Sequence, residues 1–129
     1  MAKVMGLGGV FFLSKDPKAL AAWYAKWLNL DLHPAFDGAV FMPKALPEHG
    51  YSVWSIFEEG SDYMKPTDGR FMVNFMVDDV AEALAQVAEG GATVVDEPQD
   101  TDYGIFGWFV DPDGNKVELW KPKKAADTE

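Results

Sequence analysis

No cysteine occurs among the 129 residues, so disulfides, thiolate nucleophiles and Cys-based zinc sites are all excluded. A cysteine-free chain of this size fits a reducing compartment. Positive charge is also scarce: 11 Lys and Arg stand against 21 Asp and Glu, for a formal net charge of −10. That balance argues against nucleic acid, where Lys and Arg must neutralise phosphates. It argues equally against an anionic membrane surface. No apolar run approaches the roughly 20 residues needed to span a bilayer. The apolar stretch 4–13 behind Lys3 has the look of a secretion signal, but Ser14-Lys15-Asp16-Pro17 follows it without a small-residue cleavage site. The expected location is therefore the cytoplasm. Gly6-x-Gly8-Gly9 lacks the spacing and the strand–helix setting of a nucleotide-binding loop.

What is present is an ordinary globular balance, with 48% hydrophobic and 25% charged residues. Leu7–Ser14 reads as a strand covered on both faces. Asp16 and Pro17 open a helix as N-cap and first residue, and Asn29 is a left-handed stop. Between them Leu20, Trp23, Tyr24, Trp27 and Leu28 form one apolar stripe. Short strands are expected at 31–33, 39–43 and 52–58.

The order then repeats after a polar, turn-rich stretch, 60–69. Arg70–Val77 reads as a strand, and Asp78 or Asp79 caps a helix with an inner stripe of Val80, Ala83, Leu84 and Val87. Gly90-Gly91 ends that helix. Thr93–Glu97, Gly104–Val110 and Lys116–Lys121 read as strands, the last two joined at Asp111-Pro112-Asp113-Gly114-Asn115. The two halves superpose at an offset of 63 residues, since Asp16 falls on Asp79 and 79 − 16 = 63. The expectation is one α+β domain over 1–129: module one at about 5–59, a linker at about 60–69, module two at about 70–122, and a frayed tail at 123–129.

In this order and spacing the motifs resemble the vicinal-oxygen-chelate superfamily of glyoxalases, bleomycin resistance proteins and extradiol dioxygenases. The likeness rests on Lys15-Asp16-Pro17 with Leu20, Trp23 and Tyr24, on Leu28-Asn29-Leu30, and on Phe75-Met76-Val77-Asp78-Asp79. Its strongest piece is the run from Phe106 to Trp120. The resemblance implies two βαβββ modules whose curled mixed sheets form a concave cup, with helices on the outer face. It also implies, for metal-dependent members, a divalent ion held by the first and last strands of each module. Those positions fall here at Gly9, Ser55, Met72 and Glu118, and only Glu118 is a good ligand. His33, where a strand begins after the first helix, and His49, in a Pro-Glu-His-Gly turn, are expected to face solvent or be satisfied locally rather than to ligate. No metal or other cofactor is expected, a divalent metal being the alternative.

Strand alternation assigns residues to the cup. A turn centred on Asp113 sets Val110 opposite Lys116, Trp108 opposite Glu118 and Phe106 opposite Trp120. The expected ligand-binding residues are Phe11, Ser55, Phe57, Met72, Asn74, Phe106, Trp108, Glu118 and Trp120. Tyr51, Tyr63 and Tyr103 are expected to hydrogen-bond at the rim. Val10, Phe12, Trp54, Ile56, Val73, Phe75, Val117 and Leu119 are expected to pack beneath the helices instead. An aromatic wall with one carboxylate suits a flat or cationic organic molecule. Glu118 is at once a counter-charge, a candidate general base and a candidate structural acceptor.

The reading is thus a metal-independent small-molecule binder, similar to the drug-sequestering members, and expected to form a homodimer. Two alternatives stay open: a lyase, isomerase or dioxygenase using Glu118 or an altered metal site, and an interaction subunit whose cup is filled by its own side chains.

Overall fold

The computed structural model describes residues 9–124, together with residues 1, 5 and 7. Two helices and four strands form in the order α1 (Pro17–Leu28), β1 (Val73–Met76), α2 (Val80–Glu89), β2 (Thr93–Thr101), β3 (Gly104–Val110) and β4 (Lys116–Pro122). A short 3-10 turn covers Pro43–Ala45. The α+β class is as expected.

Both helices begin and end where their local chemistry directs. The Asp16 side chain accepts from the Ala19 N–H at 3.1 Å, Pro17 takes the first helical position, and Asn29 closes α1 at φ 54°. Asp79, rather than Asp78, caps α2 by accepting from the Glu82 N–H at 2.9 Å. Gly91 follows that helix at φ 95°, a conformation in which a side chain would be strained.

The sheet has the order β1-β4-β3-β2. β1 runs parallel to β4, and the other two pairings are antiparallel. The parallel pair is connected through α2 and the meander β2–β3–β4, so one βαβββ module is complete within residues 73–122. The register of the last hairpin is the expected one: Val110 opposite Lys116, Trp108 opposite Glu118, Phe106 opposite Trp120.

One face of this sheet is the floor of the core. Phe109, Val117 and Leu119 are buried against Val80, Ala83, Leu84 and Val87 of α2 and against Leu20 and Tyr24 of α1. Phe75 packs on the same cluster. Gly107 keeps α2 close, because a methyl group there would lie 2.8 Å from Val80 Cγ1 and 2.9 Å from Leu84 Cδ1. Two side-chain-to-backbone bonds tie the helices together: Trp23 Nε1 donates to the Gly90 carbonyl at 2.9 Å, and Gln86 Nε2 to the Trp27 carbonyl at 2.8 Å.

The first half of the chain departs from expectation. The strand expected at 7–14 lies partly outside the described residues, and its described part, residues 7 and 9–14, joins no ladder. The strands expected at 31–33, 39–43 and 52–58 are absent as well, and Pro43 opens the 3-10 turn instead. The physical reason is a lack of partners: a strand holds its backbone groups only by pairing with a neighbour. These segments keep their apolar side chains in the open: Val10, Phe12, Trp54 and Ile56, expected beneath the helices, are exposed instead, Trp54 at 75% and Ile56 at 77%. Among the described residues, no helix is long and apolar enough to cross a membrane.

Candidate functional site

Opposite the helices, alternation along β1, β3 and β4 puts Asn74, Phe106, Trp108, Lys116, Glu118 and Trp120 on the other face of the sheet. Glu118 is at its centre. Asn74, directly across the parallel pairing, donates from Nδ2 to Glu118 Oε1 at 2.7 Å. Trp108, directly across the antiparallel pairing, donates from Nε1 to Glu118 Oε2 at 2.8 Å. The Tyr63 hydroxyl donates to the same Oε2.

Tyr63 comes from the turn-rich stretch 60–69, which bends back over the sheet. Its ring stands edge-on to Trp108 at 6.1 Å between centroids and lies 5.0 Å from the ring of Phe57. Trp108 Nε1 also lies 3.2 Å from the Tyr63 hydroxyl oxygen. Lys116 is buried and donates from Nζ to the Tyr63 carbonyl at 2.6 Å. Its ammonium lies 5.2 Å from the Tyr63 ring centre and 5.9 Å from that of Trp108. Burial pushes the Tyr63 phenol well above the ordinary tyrosine range, and the hydrogen bond to Glu118 and that group's charge push the same way. Tyr63 therefore stays a neutral donor.

A second aromatic pair adjoins the first. Phe106 stacks on Trp120 at 5.9 Å with planes 10° apart. Tyr51 meets Trp120 edge-on at 5.0 Å, and Trp120 Nε1 donates to the Tyr103 carbonyl at 2.9 Å. Each of the three rim tyrosines thus meets the site, although only Tyr63 does so through its hydroxyl.

Of the residues expected to bind ligand, Asn74, Trp108 and Glu118 form one hydrogen-bonded group, and Phe106 and Trp120 flank it. Phe57 joins through Tyr63. Phe11 and Ser55 are exposed and take no part in the group's hydrogen bonds or ring contacts, and Met72 is half-buried just before β1. Sequence reasoning undervalued Tyr63 and Lys116. The available signal was an aromatic residue isolated in an otherwise polar stretch.

The two described concavities lie elsewhere. One, of about 360 Å³, is lined by Leu28, Met76, Asp79 and Glu82, and the other, of about 490 Å³, by Leu13, Lys15, Pro112 and Asp113. The expected cup is instead covered by Tyr63 and Tyr51.

A divalent metal fits this face poorly. Glu118 already accepts from three side-chain donors, and among the described residues no group of three or more His, Cys, Asp or Glu converges on one point. His33 is engaged locally, accepting from the Ala35 N–H at 3.1 Å and stacking on Phe36, and His49 lies 3.4 Å from Glu48.

Among solved structures, TnmS3, an antibiotic binding protein from Streptomyces sp. CB03234, is 22% identical with a TM-score of 0.52, covering 93% of this chain and 100% of its own. A glyoxalase/bleomycin resistance protein from the same Streptomyces is 37% identical, but over only 38% of this chain and 42% of its own, at a TM-score of 0.34. The hypothetical protein SA1046 from S. aureus is 23% identical over 45% of this chain and 48% of its own, at 0.39. In those last two, the match spans less than half of the neighbour's length. No curated protein sequence matches. The model of the glyoxalase-like domain matches residues 9–120, nearly the whole chain. With the βαβββ module and its register in place, the chain belongs to the glyoxalase-like domain family.

Proposed function

We propose that this protein binds a small aromatic molecule, without a metal ion, on the face carrying Phe106, Trp108, Glu118 and Trp120. One observation carries the reading: these side chains stand on a hydrogen-bonded sheet, while what covers them comes from segments without regular secondary structure. Rigid aromatic surface under a removable cover is the arrangement a binding site needs. The antibiotic binding protein TnmS3 has the same fold over its full length, which supports the reading at the level of fold. A flat aromatic ligand is favoured over a cationic one, because Lys116 already places its ammonium over the Tyr63 and Trp108 rings. A general-base role for Glu118 is disfavoured by its three hydrogen-bond donors, one of which would have to leave first.

The test is a titration of tryptophan fluorescence with a panel of neutral, cationic and anionic arenes. Saturable quenching by neutral arenes, lost in Trp108→Ala and kept in Trp27→Phe on α1, is the expected result. Absence of binding across the panel would leave the self-filled interaction subunit ahead.

The same reading includes a homodimer. Segments 9–13 and 51–58 join no ladder and expose apolar side chains, and a second copy offers the same segments for self-complementary pairing. Light scattering at micromolar concentration is expected to give twice the 14.3 kDa chain mass. Ile56→Asp should shift it toward the monomer. A monomeric parent chain would overturn this part.

A further inference from the structure

Tyr63 makes, within one chain, the contacts that a bound molecule would make. Its hydroxyl donates to the Glu118 carboxylate and lies 3.2 Å from Trp108 Nε1 as an acceptor. Its ring packs edge-on against Trp108 and beside Phe57, under the ammonium of Lys116. Its other hydrogen bonds run through its backbone: Lys116 Nζ to its carbonyl at 2.6 Å, and its own N–H to Ser61 Oγ at 3.1 Å. The side chain can therefore be exchanged while the loop stays tethered.

We propose that Tyr63 is an internal stand-in for ligand, and that the ligand class of this face is phenols: an aromatic ring carrying a hydroxyl that replaces Tyr63 on Glu118 and Trp108. This rests on the aromatic-binder reading and narrows it. The site supplies one carboxylate acceptor, one indole donor and one cation above the ring plane. A hydroxyl satisfies the first two together, and an electron-rich ring suits the third. A hydrocarbon ring would leave the indole and carboxylate without the partner they now share. A phenolate would bring its charge against Glu118 and lose the donated hydrogen, so the neutral form is the one selected.

The proposal is tested with Tyr63→Gly and three probes that share one tolyl ring: p-cresol, the smaller toluene and the larger p-methylanisole. Removing the ring opens its own space, and p-cresol is expected to bind the variant and raise its melting temperature. Toluene and p-methylanisole, which lack a hydroxyl donor, should bind about tenfold more weakly, the worth of a charge-assisted hydrogen bond. In the parent chain Tyr63 competes, so p-cresol should bind at least about tenfold more weakly than in Tyr63→Gly. Glu118→Gln in the Tyr63→Gly background should erase most of the preference for p-cresol over toluene. Should Tyr63→Gly fail to fold, Tyr63→Phe keeps the ring and removes only the competing hydroxyl. Its affinity for p-cresol should then exceed that of the parent, and an unchanged affinity would overturn the proposal. Equal binding of all three probes to Tyr63→Gly would also overturn it, while leaving an aromatic binder in place. Binding of none of them would overturn both readings.

Discussion

The Tyr24 hydroxyl donates to Asp111 Oδ2 at 2.8 Å across 87 residues of sequence, joining α1 to the turn between β3 and β4. Asp111 is buried and helps to organise that turn: its Oδ1 accepts from the N–H groups of Asp113 and Asn115, both at 2.9 Å, and from Asn115 Nδ2. The bond is therefore one hydrogen bond of a charged, nearly dry group, of the kind that contributes about 1.5–3 kcal/mol. Tyr24→Phe keeps the ring contacts with Trp23 and Phe75 and removes only the hydroxyl. Urea unfolding should show a loss within that range at unchanged m-value. A loss below about 0.5 kcal/mol would mean that the turn and α1 are held independently.

Alkali should unfold the protein through the same residue. Burial, with Asp111 adding its charge and its hydrogen bond, pushes the Tyr24 phenol far above the ordinary value of 10.0. Below that value both the folded and the unfolded chain keep the proton, and the contribution of Tyr24 is fully present. Above it the unfolded chain ionises first, so stability falls as pH rises. The slope for this one group is at most about 1.4 kcal/mol per pH unit. Chemical unfolding at pH values on either side of 10 should show that slope in the parent chain and a shallower one in Tyr24→Phe. The same slope in both would assign the effect to other groups.

Glu118→Gln separates the carboxylate from the shape it holds. The amide offers one acceptor and brings an NH2 group toward donors, so one of Asn74, Trp108 or Tyr63 loses its partner. A stability loss of about 1–3 kcal/mol is expected. The Tyr63 phenol should also ionise at lower pH than in the parent, yet still above an ordinary tyrosine, because burial is the largest cause of its shift and stays. Tyrosinate absorbance during an alkaline titration reads this directly. An unmoved titration would place the origin of the shift wholly in burial.

Metal content is expected to be below stoichiometric. The four positions where the family would place ligands hold Gly9, Ser55, Met72 and Glu118, and the last is already hydrogen-bonded three times. Elemental analysis after incubation with zinc, nickel, manganese and ferrous salts, followed by desalting, checks this. About one retained ion per chain would refute it.

The residues by themselves determined the second module almost completely. Asp79, the stripe of Val80, Ala83, Leu84 and Val87, and the Asp-Pro-Asp-Gly-Asn turn act over a few residues each, through capping, periodicity and turn chemistry. The turn then sets the β3–β4 register, and the register alone puts Trp108 beside Glu118. Tertiary structure decided the rest. The first module's apolar stretches were legible as strands by pattern, yet pattern does not supply a neighbour, and in the single chain residues 51–58 stay exposed and outside the sheet. Nor could local rules place Tyr63. It lies 55 residues from Glu118 in a stretch without periodicity, and it covers the cup only because the folded chain brings a carboxylate, an indole and a lysine together beneath that loop.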